Sequence, residues 1–286
     1  MNFKFKNIGS FKRVIAGTIA AIGISTLGFS GLTQSVQAAA INKTKAVPTV
    51  YSSTVGDVSQ VKIPDGYVKA NYRLNITYSS VKPSKDEVTA EKAAELGAQD
   101  LWKLFKADLS NRTIEMNYVA VNVHHPRAEW IGNIKVDETL YYQFSIDALT
   151  GELRNTAIAR YLPGNIDTGM DMGLMKDPGI YIDLAKKTAE KYQFVSGNIV
   201  SAKYSVQGYS SSDVGKNVMI GIIVTSENGQ QAQLEFSKVN QEFLSVQYDR
   251  AMKDIESIEK SFENRPHRNI TPSKDSQPKL VVDEEN

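Results

Sequence analysis

The sequence predicts an α+β protein built from two helix-plus-antiparallel-sheet repeats, with an extra N-terminal strand. Three observations carry that expectation. Strand-like alternations come in groups after one helical pattern rather than in strict βαβα order, the arrangement of an α+β fold. The order helix, strand, strand, turn, strand recurs after a shift of 90 residues. The 286 residues, 41% hydrophobic and 23% charged, hold enough apolar side chains for a core of ordinary size.

Residues 1–38 read as a secretory signal peptide. Lys4, Lys6, Lys12 and Arg13 precede an apolar run from Val14 to Leu32, and Val36 and Ala38 place small side chains at a cleavage site. The alternative is an uncleaved membrane anchor, which Gly17, Gly23, Gly28 and Gly31 weaken. Cleavage removes four basic and no acidic residues, so the formal charge moves from +1 to −3 and a strongly basic nucleic-acid binder is excluded. The chain has no cysteine, which rules out disulfides, thiolate metal sites and cysteine nucleophiles. A cysteine-free exported chain fits a bacterial, Gram-positive type of export and a secreted or cell-wall location.

A polar segment, 39–66, leads into the first expected repeat, 67–162. Val68, Ala70, Tyr72, Leu74, Ile76 and Tyr78 alternate with polar residues, the period of a half-buried strand. Pro83 breaks the run, and Ser84 or Asp86 can cap the next element. From Val88 to Lys106 the apolar spacing becomes helical, with Ala90, Ala94, Ala98, Leu101, Trp102 and Phe105 on a stripe that makes Trp102 the core anchor. Strands come next at Ile114–Ala120, Trp130–Val136 and Leu140–Ile146. A tight turn at Asp147–Gly151 then leads into a strand to Arg160, with Gly151 placed for a positive φ.

The second repeat spans 163–252. Tyr161–Met175 is the linker, and Pro178 opens a helix with Ile180, Leu184, Thr188 and Tyr192 on its stripe. Tyr204, Val206, Leu234 and Phe236 take the strand positions, and Asn240-Gln241 replaces Thr150-Gly151 in the turn. Residues 253–286 are expected as a short helix, Lys253–Ser261, and a disordered tail beyond Glu263.

Tyr142-Gln143-Phe144-Ser145-Ile146-Asp147-Ala148-Leu149-Thr150-Gly151-Glu152-Leu153 resembles the closing hairpin of a PepSY domain, and Thr89–Ala94 is similar to that family's opening helix. The likeness covers roughly Val88 to Arg160. Ser237–Glu242 lacks the Asp-Ala and the Gly, so the second copy is degenerate. The resemblance implies a PepSY/cystatin-like fold and a protein that inhibits or modulates peptidases or cell-wall hydrolases, with no catalytic residues to carry over.

Catalytic motifs each have a plainer reading. Asp167-Thr168-Gly169 spells an aspartic-protease loop, but no second Asp-Thr/Ser-Gly exists, and a linker turn is the expectation. His124 and His125, with Glu129 or Asp137, have metal-ligand chemistry. Adjacent histidines on a strand point apart, however, and Pro126 argues for a hairpin tip. His267 falls in the tail. Gly208–Asp213 lacks the second glycine of a serine-hydrolase elbow and reads as a loop between strands. The tyrosines read as sheet packing before sugar stacking.

No catalytic, cofactor-binding or metal residue is assigned, and no cofactor or nucleic acid is expected. The expected function is a secreted, non-enzymatic protein that binds another extracytoplasmic protein. The alternatives are an exported hydrolase using two carboxylates and a small-ligand or metal-binding module in the cleft between helix and sheet.

Overall fold

A computed structural model describes residues 44–46, 63–78, 81–122 and 125–263. The expected signal peptide, most of the polar segment 39–66, His124, and the tail with His267 lie outside the described residues.

One sheet organises the protein. Its strands are β1 (Thr44–Ala46), β2 (Arg73–Tyr78), β3 (Thr113–Val119), β4 (Glu129–Lys135), β5 (Leu140–Asp147), β6 (Leu153–Arg160), β7 (Ile199–Ser212), β8 (Gly215–Ser226), β9 (Gln231–Ser237) and β10 (Phe243–Gln247). The helices are α1 (Ala90–Phe105), α2 (Met172–Lys176), α3 (Ile180–Tyr192) and α4 (Asp249–Glu263). Strand order is β1-β2-β3-β4-β5-β6-β10-β9-β8-β7, the three-residue β1 being a short addition along the start of β2. No helix among the described residues is long and apolar enough to cross a membrane.

This overturns the expectation of two helix-plus-antiparallel-sheet repeats. The fold is mostly sheet, 39% strand against 23% helix over the described residues, and the sheet is continuous and mixed. Two pairings are responsible. The last strand, β10, returns to the middle and pairs with β6 through Ser245↔Ala157, Val246↔Thr156 and Gln247↔Asn155. In addition, α1 carries the chain across so that β2 and β3 run parallel.

Directly paired residues form rows across this sheet. One runs from Met116 through Gly132, Phe144, Thr156, Val246 and Leu234 to Ile222. It faces the helices: α1 lies over Phe144, where a Cβ on Gly97 would come within 2.3 Å of the ring, and α3 packs Tyr181, Ala185 and Ala189 against Ile222 and Leu234. Small residues on α1 therefore set how closely the helix lies on the sheet. The Thr89 hydroxyl accepts from the Lys92 N–H at 3.2 Å and caps α1. At the other end of the helix row, Leu162 and Lys216 exchange two backbone hydrogen bonds of 2.9 Å, drawing the end of β6 to the start of β8. A Cβ on Gly215 would meet the Leu162 carbonyl oxygen at 2.3 Å, so the contact needs glycine there.

Several local expectations shift. The alternation from 67 to 78 is strand only over 73–78, and Val68 is 81% exposed. Hydroxyls of Tyr67 and Tyr72 both donate to Glu95 on α1, at 2.9 and 2.8 Å, holding this stretch against the helix instead of in the sheet. Trp102 is not the core anchor: it sits half-buried under Tyr67, its indole N–H 3.4 Å from the Asp65 carbonyl. Trp130, 1% exposed and donating to the Val88 carbonyl at 2.7 Å, takes that place. On α3 the buried stripe is Tyr181, Ala185 and Ala189, one residue from the expected one, and Ile180 is exposed. Gly208–Ser212 belongs to strand β7, and the turn comes after it.

Candidate functional site

The sequence offered His124 and His125, with Glu129 or Asp137, as metal-ligand chemistry; of these the structure brings together His125 and Glu129, and His124 lies outside the described residues. Glu129 sits at the start of β4, buried, and the His125 Nδ1 contacts its Oε1. Between Ser145 and Ile146 the β5–β6 register slips by one residue, and Arg154 is left without a cross-strand partner. Arg154 Nε donates to Glu129 Oε2 at 3.3 Å, and its Nη1 to Asp254 Oδ2 of α4 at 2.6 Å. Arg127 Nε adds bonds of 3.2 and 3.0 Å to both Asp254 oxygens, and its Nη1 lies 3.8 Å from Asp147 Oδ2. Arg250, also on α4, pairs with Glu152. Charged groups from the β4, β5, β6 and α4 regions thus clamp the C-terminal helix to the sheet.

Glu129, Glu152 and Asp254 each meet a guanidinium directly, whereas Asp147 Oδ2, 3.8 Å from Arg127 Nη1, is buried without a hydrogen bond. Among the described residues no group of three His, Asp or Glu side chains is placed to hold a metal ion. Asp137 is elsewhere, in the turn before β5, where its Oδ1 accepts from the Thr139 and Leu140 N–H groups. Asp167 is exposed and folds its carboxylate onto the Gly169 N–H at 2.8 Å, a turn contact. The arrangement is a structural clamp.

Sequence reasoning missed two buried acids. Asp100, 4% exposed on α1, accepts from the Tyr248 hydroxyl at 2.7 Å. Thr156 stands beside the pair, its hydroxyl near enough to favour the carboxylate but without a hydrogen bond of ordinary geometry. Burial pushes the Asp100 carboxyl above its ordinary range, more strongly than Tyr248, Thr156 and Lys103 pull it down. The Tyr248 hydroxyl is raised as well, first by burial and then by the Asp100 charge.

The second acid, Glu235, lies on the face opposite α1 and α3, in a paired row from Glu115 through Asn133, Gln143, Ala157 and Ser245 to Glu235 and Gly221. Its Oε2 accepts from the Ser245 hydroxyl at 2.7 Å, its Oε1 lies 3.4 Å from the Gln233 amide, and burial raises it. Glu115 is raised too, by partial burial, against a hydrogen bond from Asn75. The sequence signal for Glu235 was misleading, since alternation marks such a position as solvent-facing. Asp100 and Glu235 are each sealed from solvent.

The chain matches no protein-family model, no curated protein and no solved structure. The expected PepSY resemblance has only the residues of the β5–β6 hairpin and of the Thr89–Ala94 helix opening behind it, and the hairpin has a simpler account. There Asp147 Oδ1 accepts from the Leu149 and Thr150 N–H groups, both at 2.9 Å, and Gly151 takes φ 74°. The β9–β10 turn solves the same problem with other residues: Ser237 Oγ accepts from Val239 and Asn240, and Gln241 takes φ 63°. Asp and Gly in the first turn are thus explained by turn chemistry.

The remaining feature is an edge. β7, 14 residues long, ends the sheet and pairs only with β8 among the described residues. It carries one charged side chain, Lys203, and no proline. Register slips at Ile199/Ser201 and Tyr204/Val206 twist its first half, while Gln207–Ser212 pairs regularly. Val200 and Tyr209 are exposed along it.

Proposed function

We propose that this chain is an exported, non-enzymatic protein that binds and modulates another extracytoplasmic protein of the peptidase or cell-wall-hydrolase class. The observation that carries binding is the β7 edge. A long, nearly uncharged edge strand offers a row of backbone N–H and C=O groups to an extended segment of a partner, and sheet edges without charge or proline are the ones that recruit strands. Export is supported by the residue pattern of 1–38, and the partner class by the PepSY-like hairpin. The guanidinium pairing of Glu129 and Asp254 supports the non-enzymatic reading.

The test uses residues 39–286, immobilised and exposed to culture supernatant and to cell-wall extract, beside a Val200→Lys/Tyr209→Lys variant. The expected result is retention of a peptidase or cell-wall hydrolase whose activity changes on adding the chain, with both effects lost in the variant. Hydrolysis of a peptide, ester or glycan by the purified chain alone would overturn the reading. Retention that is equal in the variant would remove β7 from it.

A further inference from the structure

We propose that Met170 and Met172 form an oxidation site, and that a peroxide acting there releases the connection between β6 and α3 from the sheet. The chain has seven methionines and no cysteine, so thioethers are its only sulfur. Three of the seven, Met170, Met172 and Met175, fall within six residues of this connection. Met116, Met219 and Met252 are sealed at 0%, 6% and 6% exposure, whereas Met170 and Met172 stand at 50% and 53%. Thioether oxidation follows exposure, so among the described methionines these two are the most reactive, ahead of the half-buried Met175.

What lies between them gives the site its consequence. The Asp171 N–H donates to Gln207 Oε1 at 3.0 Å, and the Asp171 carbonyl accepts from Gln207 Nε2 at 2.8 Å. A side-chain amide thus imitates a strand pairing, and Gln207 is itself 4% exposed on β7. The Lys238 ammonium joins the same knot, donating to the Gly169 carbonyl at 3.1 Å and to Gln207 Oε1 at 2.8 Å. The Asp171 carboxylate caps α2 through the Gly173 and Leu174 N–H groups. Lys216, donating to the Ile166 carbonyl at 2.9 Å, gives the segment a further side-chain tie to the strands.

In the reaction a thioether lone pair attacks one oxygen of hydrogen peroxide. The S–O bond forms as the O–O bond breaks, the second oxygen leaves as water, and sulfur loses two electrons to the peroxide. The product is a strong acceptor on a side chain that was apolar. Placed on either side of Asp171, it competes with the Gly169 and Asp171 carbonyl oxygens for the Lys238 ammonium and the Gln207 amide. A methionine sulfoxide reductase supplied with a dithiol reverses the change: the dithiol is oxidised to a disulfide, the sulfoxide oxygen leaves as water and the thioether returns, so the modification is chemically reversible.

The experiment treats the folded chain with hydrogen peroxide, maps oxygen uptake by peptide mass spectrometry and follows hydrogen exchange of the Asp171 amide. Uptake at Met170 and Met172 is expected about tenfold or more ahead of Met116, Met219 and Met252. Protection of the Asp171 amide falls on oxidation and returns with the reductase, and a Met170→Leu/Met172→Leu variant keeps its protection under peroxide. Equal uptake at the sealed methionines would overturn the site. Unchanged Asp171 protection in fully oxidised protein would overturn the release.

Discussion

Glu235→Gln should stabilise the protein at neutral pH and flatten part of its pH dependence. Glu235 is 5% exposed, no cation pairs with it among the described residues, and its two hydrogen-bond donors are the neutral Ser245 hydroxyl and Gln233 amide. Burial raises its carboxyl above the ordinary 4.5, against those two donors. The folded chain then holds a proton that the unfolded chain has released. Its contribution is fully present below the ordinary value and is lost as pH rises through the folded one. Between those limits one such group lowers stability by up to about 1.4 kcal/mol per pH unit. Gln keeps the shape and removes the charge, so the variant should match the wild type near pH 4 and exceed it by about 1–3 kcal/mol at neutral pH. Urea unfolding from about pH 4 to 8 reads both quantities. Asp100 and Glu115 are raised in the same sense and leave a residual slope, of which Asp100→Asn should remove its own part. A Glu235→Gln variant that is less stable at neutral pH, with the wild-type slope intact, would refute the reasoning and show that the carboxylate is charged and well solvated.

Asp254→Ala should cost about 3 kcal/mol, because it leaves Arg154, with only 10% side-chain exposure, short of one of its two carboxylates; hydrogen exchange should show α4 loosening first. Trp130→Ala should cost about 3–5 kcal/mol, as for a sealed core aromatic. Trp102→Ala should cost less than half as much in the same thermal melts, since its ring lies at the margin under Tyr67. Gly97→Ala should gain about 1 kcal/mol in helix propensity and lose about 1–3 kcal/mol or more to the clash with Phe144. A net loss is expected, rescued in a Gly97→Ala/Phe144→Leu double variant, and additive costs would refute the contact.

Much of the local structure was legible because it is written in short-range periods. Ile114, Met116 and Tyr118 alternate, and they form β3 with all three buried. The helical spacing over 88–106 became α1 at 90–105, and Gly151 took the positive φ its turn required. The neighbours of each strand were not legible, because nothing in the alternation of Phe243–Gln247 names Leu153–Arg160 as its partner. Trp102 misled because a large aromatic next to Leu101 lies only one step around the helix from the buried stripe, whereas small residues, Ala93, Ala94 and Gly97, line the seam. The sequence singled out His125 with Glu129 or Asp137 and could not choose between the two acids. Arg154 and Asp254, which decide what Glu129 does, come from 25 and 125 residues beyond Glu129 and owe their place to a register slip and a docked helix.

The return of β10 to the centre of the sheet also orders events in time. Both β6 and β9 wait for it, so a nascent chain shows two open strand edges until residue 247 is available. The pairing between β6 and β10 spans some 90 residues, and contacts that distant form late. β10 acts as a keystone. A chain cut before Phe243 keeps both unsatisfied edges in the middle of its sheet, where strand-on-strand association between molecules begins. The same lateness leaves a growing chain unlocked, and closes it only when β10 emerges.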